Sequence, residues 1–365
     1  MTGDLYFYDF EFNLLDILPR TESVNYSFYY NKIGNAEVHM DIRDKILSFL
    51  ENKTEMFIDN GGFYQNGTGQ WMITGWKCNN NELILFGRSL NFLLSRRVVI
   101  PFATVTMTGK ELAKKLAADA YTVDRNSFTL KDGRVINIAD SSGNKYTLEK
   151  QDNFIIRDDV TEEFEASTYR RDTGQTLSDC VIDYLNYNDC GHELIADVKN
   201  KQWIFRVYKG MERELTLSEE NRNCSDIEKT VEKQDYYNCG FFEKTETDSE
   251  SNEETEASDR ASDWIFVPGD YGYGQPILRF EGILNGSNNS EAASSLRDKK
   301  IKESLAAALE RLAYERDYRL GDVFRVIYKF GKVSRSVRMR VTGINISCDK
   351  DVFEIKPDME VLTDD

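Results

Sequence analysis

Histidine and proline are almost absent, with two and five residues in a chain of 365. So little histidine leaves few ready acid–base groups, and each one has to be weighed singly. So little proline, beside 19 tyrosines and 21 phenylalanines, leaves room for many strands. There is no basic leader: "MTGDLYFYDFEFNLLDILP" carries acids inside its apolar run and does not read as a signal peptide. No stretch approaches the roughly 20 uninterrupted apolar residues of a membrane helix. The expectation is therefore synthesis in the cytoplasm and no membrane binding by this chain itself. The six cysteines (Cys78, Cys180, Cys190, Cys224, Cys239 and Cys348) are scattered and expected to be reduced. Triplets such as Asn52-Lys53-Thr54 then carry no glycan. Basic residues are outnumbered 63 to 46, for a formal charge of −17. That argues against tight nucleic-acid binding, which needs clusters of Lys and Arg. It leaves open a surface that DNA slides past without sticking, since like charges repel.

What is present points to two or three domains with real cores, since 40% of the residues are hydrophobic and 365 residues exceed what one core usually serves. The first third alternates apolar and polar residues in "DLYFYDFEFNLLDILP" and "SVNYSFYYNKIGNAEVHMD". A short helix follows Asp41, with Ile42, Ile46, Phe49 and Leu50 on one face. More strands lie between Asn-Gly-Gly and Asn-Asn-Asn turns. Composition changes near Pro101. Thr108 and Glu111 have capping-box spacing ahead of a helix carrying Leu112 and Leu116. "KDGRVINIADSSGNKYTLEK" reads as a hairpin, and a second helix places Leu177, Val181, Tyr184 and Leu185 together. "HELIADVKNKQWIFRVYKG" turns at Lys199-Asn200.

The last third opens with strands and is interrupted by an acidic, almost apolar-free run, Thr245 to Asp263, which reads as a mobile solvated loop. A long helix is then expected over "SSLRDKKIKESLAAALERLAYERD", with Ile301, Leu305, Leu309 and Leu312 as its stripe and Ser295 with Asp298 as its cap. After it, Phe324, Val326, Tyr328 and Phe330 share one strand face, and Val337, Met339 and Val341 share the return face. Parity flips after Gly343, the mark of a β-bulge. The opposite face carries Arg325, Lys329, Arg338 and Arg340, a basic patch on an acidic chain. It is either a solvated face paired with neighbouring acids or an interface with an acidic neighbour.

Sites for chemistry are thin. His39 alternates outward from Val38 and Met40. His192 has Cys190 two residues before it, but no regular four-ligand spacing for zinc and no third group to orient a nucleophile. "GDYGYGQP" lacks the Lys-Ser/Thr of a phosphate loop. No carboxylate pair stands out from the 63 acids as a glycosidase pair. No cofactor, metal or catalytic residue is assigned.

Four segments, in one order along almost the whole chain, resemble the tail-hub (baseplate-hub) proteins of long-tailed phages, their prophages, contractile bacteriocins and related injection systems. They are "NKIGNAEVHMDI", "LILFGRSLNFLLSRRVVIP", "KQWIFRVYKGMERELTLSEENRN" and "ERDYRLGDVFRVIYK" with its return strand "VRMRVTGINI". The third departs from the family turn, carrying Met211-Glu212-Arg213 where Asp-Arg is usual, and the acidic insertion has no counterpart. The resemblance implies an α+β, mainly β chain. Two tube-like β-barrel domains would occupy residues 1–101 and 211–365, the second with the long helix and the 245–263 loop, around a mixed middle at 102–210. It also implies a non-enzymatic homotrimer, made in the bacterial cytoplasm, that joins a six-fold tail tube to a three-fold spike in the particle. Its partners would be the tube or tube-initiator protein, the central spike, other baseplate proteins and the tape measure, with DNA only as passing cargo. The competing readings are a peptidoglycan-degrading tail enzyme, separable by a zymogram, and a carbohydrate-binding tail protein, separable by a glycan array.

Overall fold

The computed structural model describes every residue except 1–3, 20–22, 61–68, 80, 101, 131, 172–173, 246–261, 270–273, 285–291, 294, 297–298, 350–351 and 363–365. Most of the acidic loop and half of "GDYGYGQP" therefore lie outside the described residues. The chain divides into a main unit, residues 1–227 and 307–365, and a second unit, residues 228–306.

Seven strands and a helix come first: β1 (Leu5–Asp9), β2 (Leu14–Leu18), β3 (Ser23–Tyr29), β4 (Asn35–Met40), α1 (Asp44–Glu51), β5 (Met56–Asp59), β6 (Trp71–Cys78) and β7 (Leu83–Ser89). The middle follows a 3-10 turn at Leu90–Arg96. It contains β8 (Val98–Val99), β9 (Phe102–Met107), α2 (Gly109–Tyr121), β10 (Ser127–Thr129), β11 (Val135–Asn137), β12 (Phe154–Asp158), β13 (Ser167–Arg171), β14 (Gln175–Thr176), α3 (Leu177–Asn186), β15 (Gly191–Asp197) and β16 (Gln202–Tyr208). The last group is β17 (Glu212–Leu217), β18 (Cys224–Glu232), β19 (Cys239–Thr245), β20 (Ser262–Pro268), β21 (Glu281–Ile283), β22 (Lys302–Leu309), β23 (Val323–Phe330), β24 (Val333–Asp349) and β25 (Val352–Leu362). The chain is mainly β, as expected.

The first strands pair in the order β3-β4-β7-β6-β5-β1-β2. Laid flat, seven strands would put β2 about 29 Å from β3. Yet Leu18 and Ser23 are consecutive strand ends, five residues apart in sequence, with a reach of about 18 Å. The sheet must roll, and it does so around one core holding Leu5, Phe7, Leu18, Val24, Val38, Met40, Leu83 and Leu85, with Ile46 and Leu50 of α1 plugged into it.

A second roll follows the order β17-β23-β24-β25-β22-β18. Its ends meet directly. Asn223, just before β18, donates from Nδ2 to the Thr216 carbonyl in β17 at 2.9 Å, and its Oδ1 accepts from the Ser218 amide at 2.9 Å. Neither roll's ladder closes into a complete barrel among the described residues. Strand β24 serves both. It pairs β25 along one side, and on the other it pairs β23 over 333–340 and then β3 over 343–349. The register slips between Val341 and Gly343, so the expected bulge sits where β24 passes from one neighbour to the next.

In the middle, the Thr108 hydroxyl accepts from the Glu111 amide while the Glu111 carboxylate accepts from the Thr108 amide, completing the capping box read from the sequence. The Thr108 amide and hydroxyl both donate to the Glu111 carboxylate, at 3.1 Å each, and hold it below its ordinary range. Leu112, Ala113 and Ala117 of α2 pack with Leu177, Val181, Tyr184 and Leu185 of α3 over Leu194, Phe205 and Val207 of the β12-β16-β15 sheet. The hairpin expected at 131–150 narrows to one antiparallel bridge, Ala139 with Lys145, and the strand ladder forms further upstream, as β10 with β11 across Asp132-Gly133.

The long helix is a correction. Lys302–Leu309 is strand β22, and residues 310–322 form turns before β23. Ile301, Leu305 and Leu309 are four apart, an even spacing that puts side chains on one face of a strand as well as of a helix. The open position between β18 and β25 then outweighed helix propensity, as tertiary context often does. Asp298, the expected capping partner, lies outside the described residues.

The second unit is small. Its sheet runs β20-β19-β21, with Phe242, Ile265 and Val267 facing Leu284, Ala292 and Leu296. The outer face presents Trp264, Phe266 and Ile283 to solvent.

Candidate functional site

The segments that carry the family resemblance converge, although about 110 residues separate "YKG" from "LGD". Gly210 and Gly321 lie back to back. A Cβ on Gly210 would come within 1.9 Å of the Gly321 carbonyl group, and one on Gly321 would come within 2.4 Å of the Tyr30 ring. Gly321 also has φ +91, which side-chain-bearing residues rarely adopt. Gly210→Ala is expected to lower stability by about 2–3 kcal/mol, read from a denaturant midpoint, because both sides of the clash are backbone. A midpoint shift below about 0.5 kcal/mol would show that this contact is slack.

Asp322, the acid of "LGD", is buried and saturated. It accepts from the Met211 amide (2.9 Å), the Arg319 amide (2.8 Å), and Arg213 Nε (2.7 Å) and Nη2 (2.6 Å). Arg213 belongs to the turn that departs from the family pattern, and it is the residue that reaches Asp322.

Tyr30, at the end of β3, pins three regions together. Its amide donates to Thr342 of β24 at 2.9 Å, its carbonyl accepts from the His192 amide of β15, and its hydroxyl donates to the Asp189 carbonyl at 3.0 Å. Its ring meets Tyr208 edge-on at 5.5 Å. Burial pushes its phenol well above the usual value. The Arg340 guanidinium lies 5.3 Å from that ring and forks onto both carboxylate oxygens of Asp189. Asp189 holds φ +56, a left-handed turn position that Asp tolerates, which carries the chain from α3 into β15.

The four basic residues read as one surface thus separate. Arg340 is buried and pairs with Asp189, which is half exposed, so Arg340→Glu would set a buried carboxylate beside a second one. Arg338 is exposed and pairs with Glu212 at 3.1 Å. Arg325 stands opposite Arg338 in register and is exposed, as is Lys329. The sequence signal for Tyr30 and Asp189 was nil, since neither lies in a motif that states a role.

The histidines resolve differently. His192 is buried against Phe205, with Nδ1 3.4 Å from Asn31 Oδ1, and burial pushes its pKa down to about 4. Cys190 is buried with Sγ 3.2 Å from the Asn188 carbonyl, and burial pushes the thiol up to about 11, unsuited to a thiolate nucleophile. None of the six cysteines is in a disulfide. Among the described residues no three His, Cys, Asp or Glu side chains converge as a metal site. A cleft of about 170 Å³ includes Asp159, Glu193, Arg206 and Asp322 in its lining. Its carboxylates are engaged: Arg206 bridges Asp159 and Glu193, each at 2.6 Å, and Arg213 holds Asp322. No helix among the described residues is long and apolar enough to cross a membrane.

His39 sits between Glu82 on Nδ1 (2.6 Å) and Glu37 on Nε2 (2.7 Å). The hydrogen bond to Glu37 raises its pKa first, that to Glu82 next. A raised folded pKa stabilises fully below the unfolded value of about 6.5, and the gain is lost as pH rises through the folded value. The stability gap between wild type and His39→Gln is therefore expected to be widest near pH 5.5 and to close towards pH 9. Urea midpoints across that range check it; a gap that widens with pH would contradict the pairing.

No family model and no curated protein sequence matches the chain. Its fold is shared with solved tail proteins, two of them from prophages, at 10% identity. A tail protein from Neisseria meningitidis MC58 aligns over 99% of this chain and 97% of its own, with TM-score 0.55. The 43 kDa tail protein of prophage MuSo2 from Shewanella oneidensis aligns over 99% and 98%, with TM-score 0.52. A prophage tail protein from Listeria monocytogenes EGD-e aligns over 99% and 95%, with TM-score 0.50. The fold resemblance therefore covers nearly the whole chain, as the four sequence segments do.

Proposed function

We propose that the chain is a structural hub protein of a phage tail or a related contractile injection particle. Three copies form a ring that joins the six-fold tail tube to the three-fold spike. The observation that carries this reading is the pair of rolled sheets sharing β24, in a fold common to three tail proteins over nearly their whole length. Each roll stands as one tube-like barrel domain, so three chains present six similar walls. Tyr30, Asp189 and Asp322 tie the middle region to the two rolls. The role is non-enzymatic. The partners are the tube or tube-initiator protein on one side and the spike on the other, with other baseplate proteins and the tape measure nearby. An acidic wall lets DNA pass without adhering. Exposed Arg325, Lys329 and Arg338 face an acidic neighbour.

The test is electron microscopy of particles purified from the strain that encodes the chain, with the chain carrying a small fused tag. Three tag densities at the tube–spike junction are expected. Six copies, one copy, or particles that lack the chain would overturn the proposal.

A further inference from the structure

The β23–β24 hairpin runs on past its own core. Phe324, Val326 and Tyr328 are buried, whereas Phe330 and Val333, the next pair on that face, are 43% and 53% exposed. The hairpin also outruns its neighbours among the described residues. β17 ends at Leu217 opposite Val326, and pairing with β25 begins only at Arg338. Residues 327–337 thus form a two-stranded arm, closed by a two-residue turn in which Gly331 has φ +60, as a type II′ turn requires. A lone two-stranded ribbon is marginal in water and gains from a surface that covers it.

Its charge is opposite to that of the rest of the chain. Residues 323–340 hold six basic side chains and no acid, while all other residues together hold 40 basic against 63 acidic. Arg338 and Arg340 are engaged within the subunit. Lys329, Lys332 and Arg335, on the arm, are exposed and make no ion pair among the described residues.

A surface of matching chemistry lies on the same molecule. β17 forms a strand ladder only with β23 among the described residues; on its other side the side chains of Asn221 and Asn223 reach the Thr216 carbonyl, and no strand pairs with residues 212–215 there. It presents Leu215 and Met211, 41% and 56% exposed, beside exposed Glu214, and the turn after it adds exposed Glu219 and Glu220. We propose that the arm of one copy lays Phe330 and Val333 on this acidic edge of a second copy, with Lys329, Lys332 and Arg335 meeting its glutamates. This rests on the ring-former reading and names the contact that builds the ring. The two patches differ, so each copy gives one and receives the other, and such head-to-tail contacts close into rings. Burying the apolar tip supplies affinity. The charges set orientation and make assembly salt-sensitive.

Two charge-reversed chains test it: one with Lys329→Glu, Lys332→Glu and Arg335→Glu, the other with Glu214→Lys, Glu219→Lys and Glu220→Lys. In sedimentation runs the wild type is expected to self-associate. Each variant alone should associate at least about tenfold more weakly, and an equimolar mixture of the two should recover association. Thermal melts confirm that the variants fold, and Lys332→Glu alone, placed in the turn, serves if the triple change does not. A wild type that stays monomeric near millimolar concentration, variants that associate as wild type, or a mixture that does not recover each overturn the arm contact. Wild-type retention of labelled duplex DNA, lost in the arm variant, would assign the arm to phosphates and overturn it as well. If the arm fails while tagged particles still show three copies at the junction, only the contact is wrong; if the particles lack the chain, the hub reading itself falls.

Discussion

Asp322→Ala is expected to destabilise the main unit by about 3 kcal/mol, because it strips one partner from a buried charge pair and orphans two backbone donors. The carboxylate of Asp322 is the common acceptor for Met211, Arg213 and Arg319, so its removal loosens the chain after β16 and the turn before β23 together. Arg213 keeps some access to water, which limits the cost of leaving it unpaired. Asp322→Asn should fall between the two, since it preserves the shape and one acceptor but not the charge. Urea midpoints with unchanged m-values would show a pure stability loss. A wild-type midpoint for the alanine variant would mean that Gly210 and Gly321 hold the junction without it.

Val326→Asp should abolish folding. Val326 is fully buried, opposite Val337 in β24 and level with Leu217 in the parallel strand β17. An aspartate there is an unpaired carboxylate among apolar groups, and its burial costs more than a typical domain's margin of stability. Val326→Ala, which removes two methyl groups, should fold with a loss of about 2 kcal/mol. Far-UV circular dichroism separates the outcomes. A folded aspartate variant would show that the inward face of β23 is wrongly assigned.

Much of the architecture was legible because it depends on short-range periodicity. The Thr108–Glu111 capping box needs only residues three apart, and the bulge at Gly343 shows as a parity flip in one strand. The register of β15 with β16 across the turn at Lys199-Asn200 is a local hairpin matter. The stretch 302–309 was misread for the same reason: the even spacing of Ile301, Leu305 and Leu309 satisfies helix and strand alike, and only a vacancy in the sheet decides between them. The basic face was misjudged in one member. Strand alternation correctly set Arg338 and Arg340 on the same side, but alternation cannot say that the turn after α3 sets Asp189 beside one and not the other.

By itself the sequence determined that this chain is strand-rich, acidic and poor in histidine, and that β23 and β24 carry an apolar face backed by arginines. Those properties follow from composition and from the two-residue repeat of a strand, which each residue carries with it. Only the tertiary structure decided that β24 belongs to two rolls and that Gly210 touches Gly321. It alone decided, too, that Tyr30 joins three regions and that the β23–β24 arm outruns its core. Each depends on which strand ends meet across a hundred or more residues, and that is set by the curl of the sheets and the room left between backbones rather than by any local pattern.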